Sequence, residues 1–194
     1  CKDDAPFVNY WMHNGHIRVN EEKMSKSLGN FFLIRDVLKS FDPEVIRFFM
    51  LKAHYRSPIN YSDAQLEEAR SGLLRLYTAL SQAPEARVEA LDAENSWVKR
   101  FTAAMNDDFN TPEAIAVLFD LAGEVNRASA DEKSALANLL KSLGAVLHFL
   151  QRDPTHFLQS GIKADNGLSP TQIEEQIAAR LSAKQAKDFA KADL

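Results

Sequence analysis

Between residues 62 and 151 the apolar side chains recur at intervals of three and four, which restricts this part of the chain to packed helices. Leu66, Ala69, Leu73, Leu76, Tyr77 and Leu80 fall on one stripe, with Glu67, Glu68, Arg70 and Arg75 mostly off it. Trp97, Phe101, Ala104 and Met105 give a second apolar face, and Ile115, Leu118, Phe119, Ala122 and Val125 a third. Leu136, Leu139, Leu140, Leu143, Leu147 and Leu150 give a fourth. Ser62 is placed to cap the first helix, and Asn110 or Thr111 to cap the third, with Pro112 just inside its start. Four amphipathic helices with connections of modest length read as an antiparallel bundle.

Upstream of the bundle the pattern is shorter and more varied. His16-Ile17-Arg18-Val19 reads as a strand, preceded by a turn at Asn14-Gly15. Leu33 to Ser40 has helical spacing, and Asp42-Pro43-Glu44 starts a further helix, with Asp42 as cap. That helix is apolar nearly all round, so Phe48, Phe49 and Met50 are expected in the core. Ser57-Pro58 and Asn60-Tyr61-Ser62 read as a break.

The charge balance excludes a uniformly basic nucleic-acid binder, because 27 acidic against 23 basic residues leave a net charge of −4. Any RNA contact must use a local patch. No apolar run approaches the roughly 20 residues of a membrane span, and Cys1-Lys2-Asp3-Asp4 does not begin a secretory signal. The expectation is a cytoplasmic, monomeric protein with no membrane contact. Cys1, the single cysteine, cannot form an internal disulfide or supply a multi-thiolate metal site. The chain lacks an initiating Met and stops inside a helical pattern, so it reads as a fragment truncated at both ends.

Chemistry concentrates in Lys23-Met24-Ser25-Lys26-Ser27-Leu28-Gly29-Asn30. Two ammonium groups three residues apart suit charge spread over phosphate oxygens. Ser25 and Ser27 can cap or donate locally, and Gly29 permits a sharp turn. A lysine pair in a polar loop is by itself more often a solvated face, so the weight rests on the whole string. His13-Asn14-Gly15-His16 is better read as a turn than as a phosphate or zinc site, since no Cys or carboxylate lies at ligand spacing nearby. Asp107 and Asp108, adjacent on a helix, point about 100° apart and read as solvating or capping a helix junction, not as metal ligands. No residue is assigned to a metal.

Residues 152–168 hold Asp153-Pro154, Gly161 and Asp165-Asn166-Gly167 and read as a mobile linker. Ser169-Pro170-Thr171-Gln172 then opens a helix whose Arg180, Lys184, Lys187 and Lys191 form one basic stripe, with Phe189 about half a turn away and Asp193 nearby. Without further information that stripe is an ordinary solvated helix face.

The string Lys23 to Ser27 matches the KMSKS signature of class I aminoacyl-tRNA synthetases. With Phe7 to His13, Asn30-Phe31-Phe32, Arg35-Asp36-Val37-Leu38, His54-Tyr55-Arg56-Ser57 and Met105 to Ala114, the chain resembles the cysteinyl-tRNA synthetase family. The second class I signature, of the form His-x-Gly-His, belongs far upstream of KMSKS in that family, so His13 to His16 is not assigned to it. The resemblance implies a mainly α fold, the end of a class I catalytic domain followed by an antiparallel helical bundle of the tRNA-binding type. Its implied divisions are the catalytic end with the loop (1–32), a helical connector (33–61), the bundle (62–151), a linker (152–168) and a truncated anticodon-contacting region (169–194).

The activity so implied is cysteine–tRNA ligation, in which ATP activates cysteine to its adenylate and the cysteinyl group passes to tRNA(Cys). Lys26 and Lys23 would be catalytic, and Lys23, Met24, Ser25, Lys26 and Ser27 would contact ATP. Arg180, Lys184, Lys187, Phe189, Lys191 and Asp193 would contact tRNA. The family also binds zinc, with ligands expected outside this chain, and the chain alone is expected to be inactive. Two other readings are a related ligase that joins cysteine to an amino sugar and a stand-alone helical tRNA-binding module.

Overall fold

In the computed structural model, which describes residues 7–25, 27–31, 33–160 and 170–185, a tight turn at Asn20 and Glu21 organises the N-terminal end. Both residues have positive φ, 49° and 70°, the geometry whose twist matches a two-residue hairpin. The turn joins β1 (Ile17–Val19) to β2 (Glu22–Lys23), antiparallel, with Arg18 opposite Lys23. A third strand, β3 (Ile59–Tyr61), pairs with β1 in parallel, giving the order β2-β1-β3. The stretch expected to break the chain is therefore a strand. Its Ile59 and Tyr61 are half-buried and pack against the core, which repays an extended backbone next to Pro58.

Asn14-Gly15 is not a turn. The Gly15 N–H donates to the Tyr55 carbonyl at 2.7 Å, and a Cβ on Gly15 would collide with the Ser57 carbonyl. The glycine serves close approach of two backbones.

Between β2 and β3 lie α1 (Ile34–Val37) and α2 (Pro43–Leu51). The first is a single turn without a side-chain cap, and its Ile34 stays 73% exposed. The second starts as expected, Asp42 accepting from the Glu44 N–H at 2.8 Å with Pro43 at the first helical position. Val45, Phe48 and Phe49 are buried. Met50 is 39% exposed, so the helix has one solvent edge and is not buried all round.

The bundle comprises α3 (Asp63–Leu80), α4 (Ser96–Asn106), α5 (Thr111–Arg127) and α6 (Ala130–Val146). Ser62 caps α3, Asn95 caps α4, and Asn110 rather than Thr111 caps α5 by accepting from the Glu113 N–H. The α3 stripe is buried throughout, and Phe101, Leu118, Leu140 and Leu143 meet it in one apolar core that also takes in Phe48 and Phe149. Short connections at 107–110 and 128–129 make α4, α5 and α6 successive neighbours.

After α6, residues 152–160 are not a linker. They carry α7 (Pro154–Ser160), whose Phe157 is buried and stacks on Tyr77 at a centroid distance of 3.9 Å. Residues 161–168 of the expected linker lie outside the described residues. The chain divides into two compact units, Cys1–Leu158 and Gln159–Leu194, and the second contains α8 (Pro170–Gln185). Among the described residues no helix is long and apolar enough to cross a membrane.

Candidate functional site

The loop that follows β2 is held by its own side chains. Asn30 is the brace, because its Oδ1 accepts from the Ser25 N–H at 2.8 Å while its Nδ2 donates to the Lys23 carbonyl at 3.2 Å. One carboxamide thus ties the last residue of β2 to the loop's far end. Ser25 Oγ accepts from the Leu28 N–H at 3.2 Å and lies 3.1 Å from Ser27 Oγ. Gly29 takes φ of +68° with open space around its α-carbon, which lets the chain return to Asn30.

This arrangement presents Lys23 and Ser27 to solvent, with Met24 and Ser25 half-buried. Lys26, Cys1, Lys187, Phe189, Lys191 and Asp193 lie outside the described residues. Arg180 and Lys184 are exposed on α8, one turn apart. Sequence reasoning found the lysines and serines of the loop but passed over Asn30 as a brace. The available signal was a carboxamide directly after a glycine, a pair suited to closing a turn.

Two side-chain networks tie together parts of the chain that are distant in sequence. At the α4–α5 turn, the Asp108 carboxylate accepts from Tyr55 Oη at 2.7 Å, from Arg56 Nε at 2.7 Å and from Arg56 Nη2 at 3.0 Å. His54 Nε2 lies 3.1 Å from the Asp108 carbonyl oxygen. The Tyr55 hydroxyl and then the Arg56 guanidinium hold the Asp108 carboxyl below the usual carboxylate range. Asp108 and its neighbour Phe109 both sit at positive φ, 52° and 53°. Such a conformation costs roughly 1–2 kcal/mol for an L-residue, and Phe109, 54% exposed, does not repay it by burying its ring. Asp107 and Asp108 do mark a helix junction, but Asp108 also grips a segment more than fifty residues away in sequence.

The second network centres on Glu44. It accepts from Tyr77 Oη at 2.9 Å, from the Leu150 N–H at 2.8 Å and from Arg152 Nε at 3.2 Å. The Arg152 fork also meets both oxygens of Asp42, at 2.8 and 2.9 Å. Burial, then the Glu44 carboxylate, pushes the Tyr77 hydroxyl far above its ordinary value, so it remains a donor.

Among the described residues no three His, Cys, Asp or Glu side chains come together to hold a metal ion. The zinc implied by the resemblance therefore does not fit the described residues of this chain.

Residues 1–71 match the tRNA synthetases class I (C) catalytic domain, and residues 100–151 match the DALR domain. The chain is 80% identical over 191 residues to a cysteine–tRNA ligase of Polynucleobacter necessarius subsp. necessarius (strain STIR1), covering 98% of this chain and 40% of that protein. It is 61% identical over 191 residues to a cysteine–tRNA ligase of Laribacter hongkongensis (strain HLHK9), covering 98% of this chain and 41% of that protein. It thus spans about two-fifths of the length of the curated relatives it matches. The solved LeuRS–tRNA–LeuAMS ternary complex of Agrobacterium radiobacter K84 agnB2 is similar in fold, with a TM-score of 0.53 and 24% identity over 80% of this chain and 22% of that one. With its class I (C) catalytic-domain match followed by its DALR match, the chain is similar over nearly its whole length to cysteine–tRNA ligases.

Proposed function

We propose that the protein of which this chain forms part joins cysteine to tRNA(Cys) at the expense of ATP. The observation that carries this reading is the loop from Lys23 to Asn30, braced at the end of a hairpin and opening its polar face to solvent, in a chain 80% identical to a cysteine–tRNA ligase. In the first step the cysteine carboxylate attacks the α-phosphate of ATP and pyrophosphate leaves. In the second, a hydroxyl of the terminal ribose of tRNA attacks the cysteinyl carbonyl and AMP leaves.

Negative charge grows on the leaving pyrophosphate during the first step. Lys26, and secondarily Lys23, stabilise that charge more in the transition state than in the ground state, which is the condition for raising the rate. Met24, Ser25 and Ser27 complete the contact with ATP. Any zinc in the complete protein is held by residues other than those described here, and no step is routed through it.

The bundle and α8 serve tRNA, with Arg180, Lys184, Lys187 and Lys191 neutralising phosphates, Phe189 stacking on a base and Asp193 accepting from a base edge. The divisions 1–32, 33–61 and 62–151 follow the catalytic end, its connector and the bundle, with 169–194 as the start of the anticodon-contacting part. The working form is a cytoplasmic monomer, and this chain by itself does not make cysteinyl adenylate.

Transfer of labelled cysteine to total tRNA by the intact protein tests the reading. Lys26→Ala is expected to slow cysteine-dependent pyrophosphate exchange by roughly two to three powers of ten, the scale of one lost electrostatic stabiliser. An unchanged exchange rate removes Lys26 from the mechanism. Adenylate without charged tRNA would point to a small-amine acceptor instead.

A further inference from the structure

We infer that Asp108 is a positioning residue that fixes the DALR-matched bundle to the sheet bearing the Lys23–Asn30 loop, so that tRNA held by the bundle meets the activated amino acid in register. The inference rests on the functional reading above and extends it to a residue outside the loop, in the turn between α4 and α5.

The path of contacts is continuous. Asp108 lies between α4 and α5, in the DALR-matched part, and its carboxylate grips Tyr55 and Arg56, in the part matched to the catalytic domain. The segment it grips runs straight into the sheet. The Tyr55 carbonyl accepts from the Gly15 N–H at 2.7 Å, the His16 carbonyl accepts from the Ile59 N–H at 3.0 Å, and β3 then pairs with β1 from Ile17 to Val19. From β1 the hairpin leads to β2, whose last residue, Lys23, begins the loop.

The grip is built for geometry more than for stability. Asp108 is 43% exposed in its side chain and Arg56 is 63% exposed, so solvent screens their attraction. The fork is nevertheless bidentate, with a third donor from Tyr55, which fixes both distance and angle. Two successive non-glycine residues, Asp108 and Phe109, take a left-handed backbone to aim the carboxylate. Backbone conformations of that kind persist where the surroundings over-determine them, and they concentrate at working parts of proteins.

The experiment uses the intact protein, with Asp108→Asn, which keeps the side-chain shape, and Arg56→Gln, which removes the partner. Pyrophosphate exchange reports activation and transfer of labelled cysteine reports charging. Each variant is expected to raise KM for tRNA in charging by about tenfold, within the usual range of coupling between sites. Pyrophosphate exchange is expected to keep its kcat and KM for ATP within about twofold, since the loop's own brace is intact. The double variant is expected to be no worse than either single one, because both remove the same contact. Equal losses in both reactions, accompanied by a lower Tm, would make the grip a folding element and overturn the inference. A wild-type KM for tRNA in Asp108→Asn, in a protein that charges tRNA normally, would overturn it alone. A wild-type protein that charges no tRNA would instead sink the functional reading, and this inference with it.

Discussion

Asn30 binds the loop at both ends with one side chain, and each of its two hydrogen bonds contributes about 0.5–1.5 kcal/mol. If the brace holds the lysines near their working positions, Asn30→Ala in the intact protein should lower kcat/KM for ATP in pyrophosphate exchange by about tenfold, or about 1.4 kcal/mol. Asn30→Asp keeps the acceptor for the Ser25 N–H and loses the donor to the Lys23 carbonyl, so its rate should fall between the two. A wild-type rate in Asn30→Ala would show that the loop's conformation does not depend on this residue. The contrast with Lys26 explains what a residue-level reading can reach. A cationic string announces its chemistry through side-chain type, whereas the work of Asn30 depends on a turn that brings it back upon Lys23. Gly15 was misread for a related reason, since Asn-Gly is a turn signal locally and the backbone of residues 55–58 that requires the glycine lies some forty residues on.

At the scale of elements, the stripes of α3 to α6 were legible because a 3.6-residue period is written into the chain. The strand β3 and the helix α7 were not, since each is too short to show a period and each is fixed by a distant partner. For α7 that partner is Tyr77, which stacks on Phe157 while its hydroxyl serves Glu44. Glu44 joins the start of α2, the last turn of α3 and the segment after α6, so its hydrogen bonds hold three parts of the chain at once. Tyr77→Phe should lower the unfolding free energy by about 1.5–3 kcal/mol, the range for a hydrogen bond to a charged group. Urea denaturation measures it, and an unchanged midpoint with an unchanged slope would mean that the hydroxyl contributes nothing. The same hydroxyl gives a pH dependence. Its pKa is higher in the folded chain than in the unfolded one, so its contribution is complete below the unfolded value of about 10 and is lost as pH rises beyond it.

For this chain as a whole, a net charge of −4 sets the terms on which it would meet a polyanion. Long-range attraction does not favour RNA, so binding must come from a few cations placed against phosphates. The stripe on α8 offers Arg180 and Lys184, both exposed and four residues apart on one helix face. Each phosphate neutralised by such a cation releases counterions and steepens the fall of log K with log salt by about 0.7–0.9. If both residues contact tRNA, the double variant Arg180→Gln, Lys184→Gln in the intact protein should bind tRNA more weakly at low salt, with a slope shallower by about 1.5. Affinity measured from about 50 to 200 mM salt covers the range in which such contacts change it most. A slope equal to that of the unaltered protein would return the stripe to a solvated helix face. A shallower slope with unchanged pyrophosphate exchange would place the two cations on the RNA side of the reaction, apart from the lysines that meet ATP.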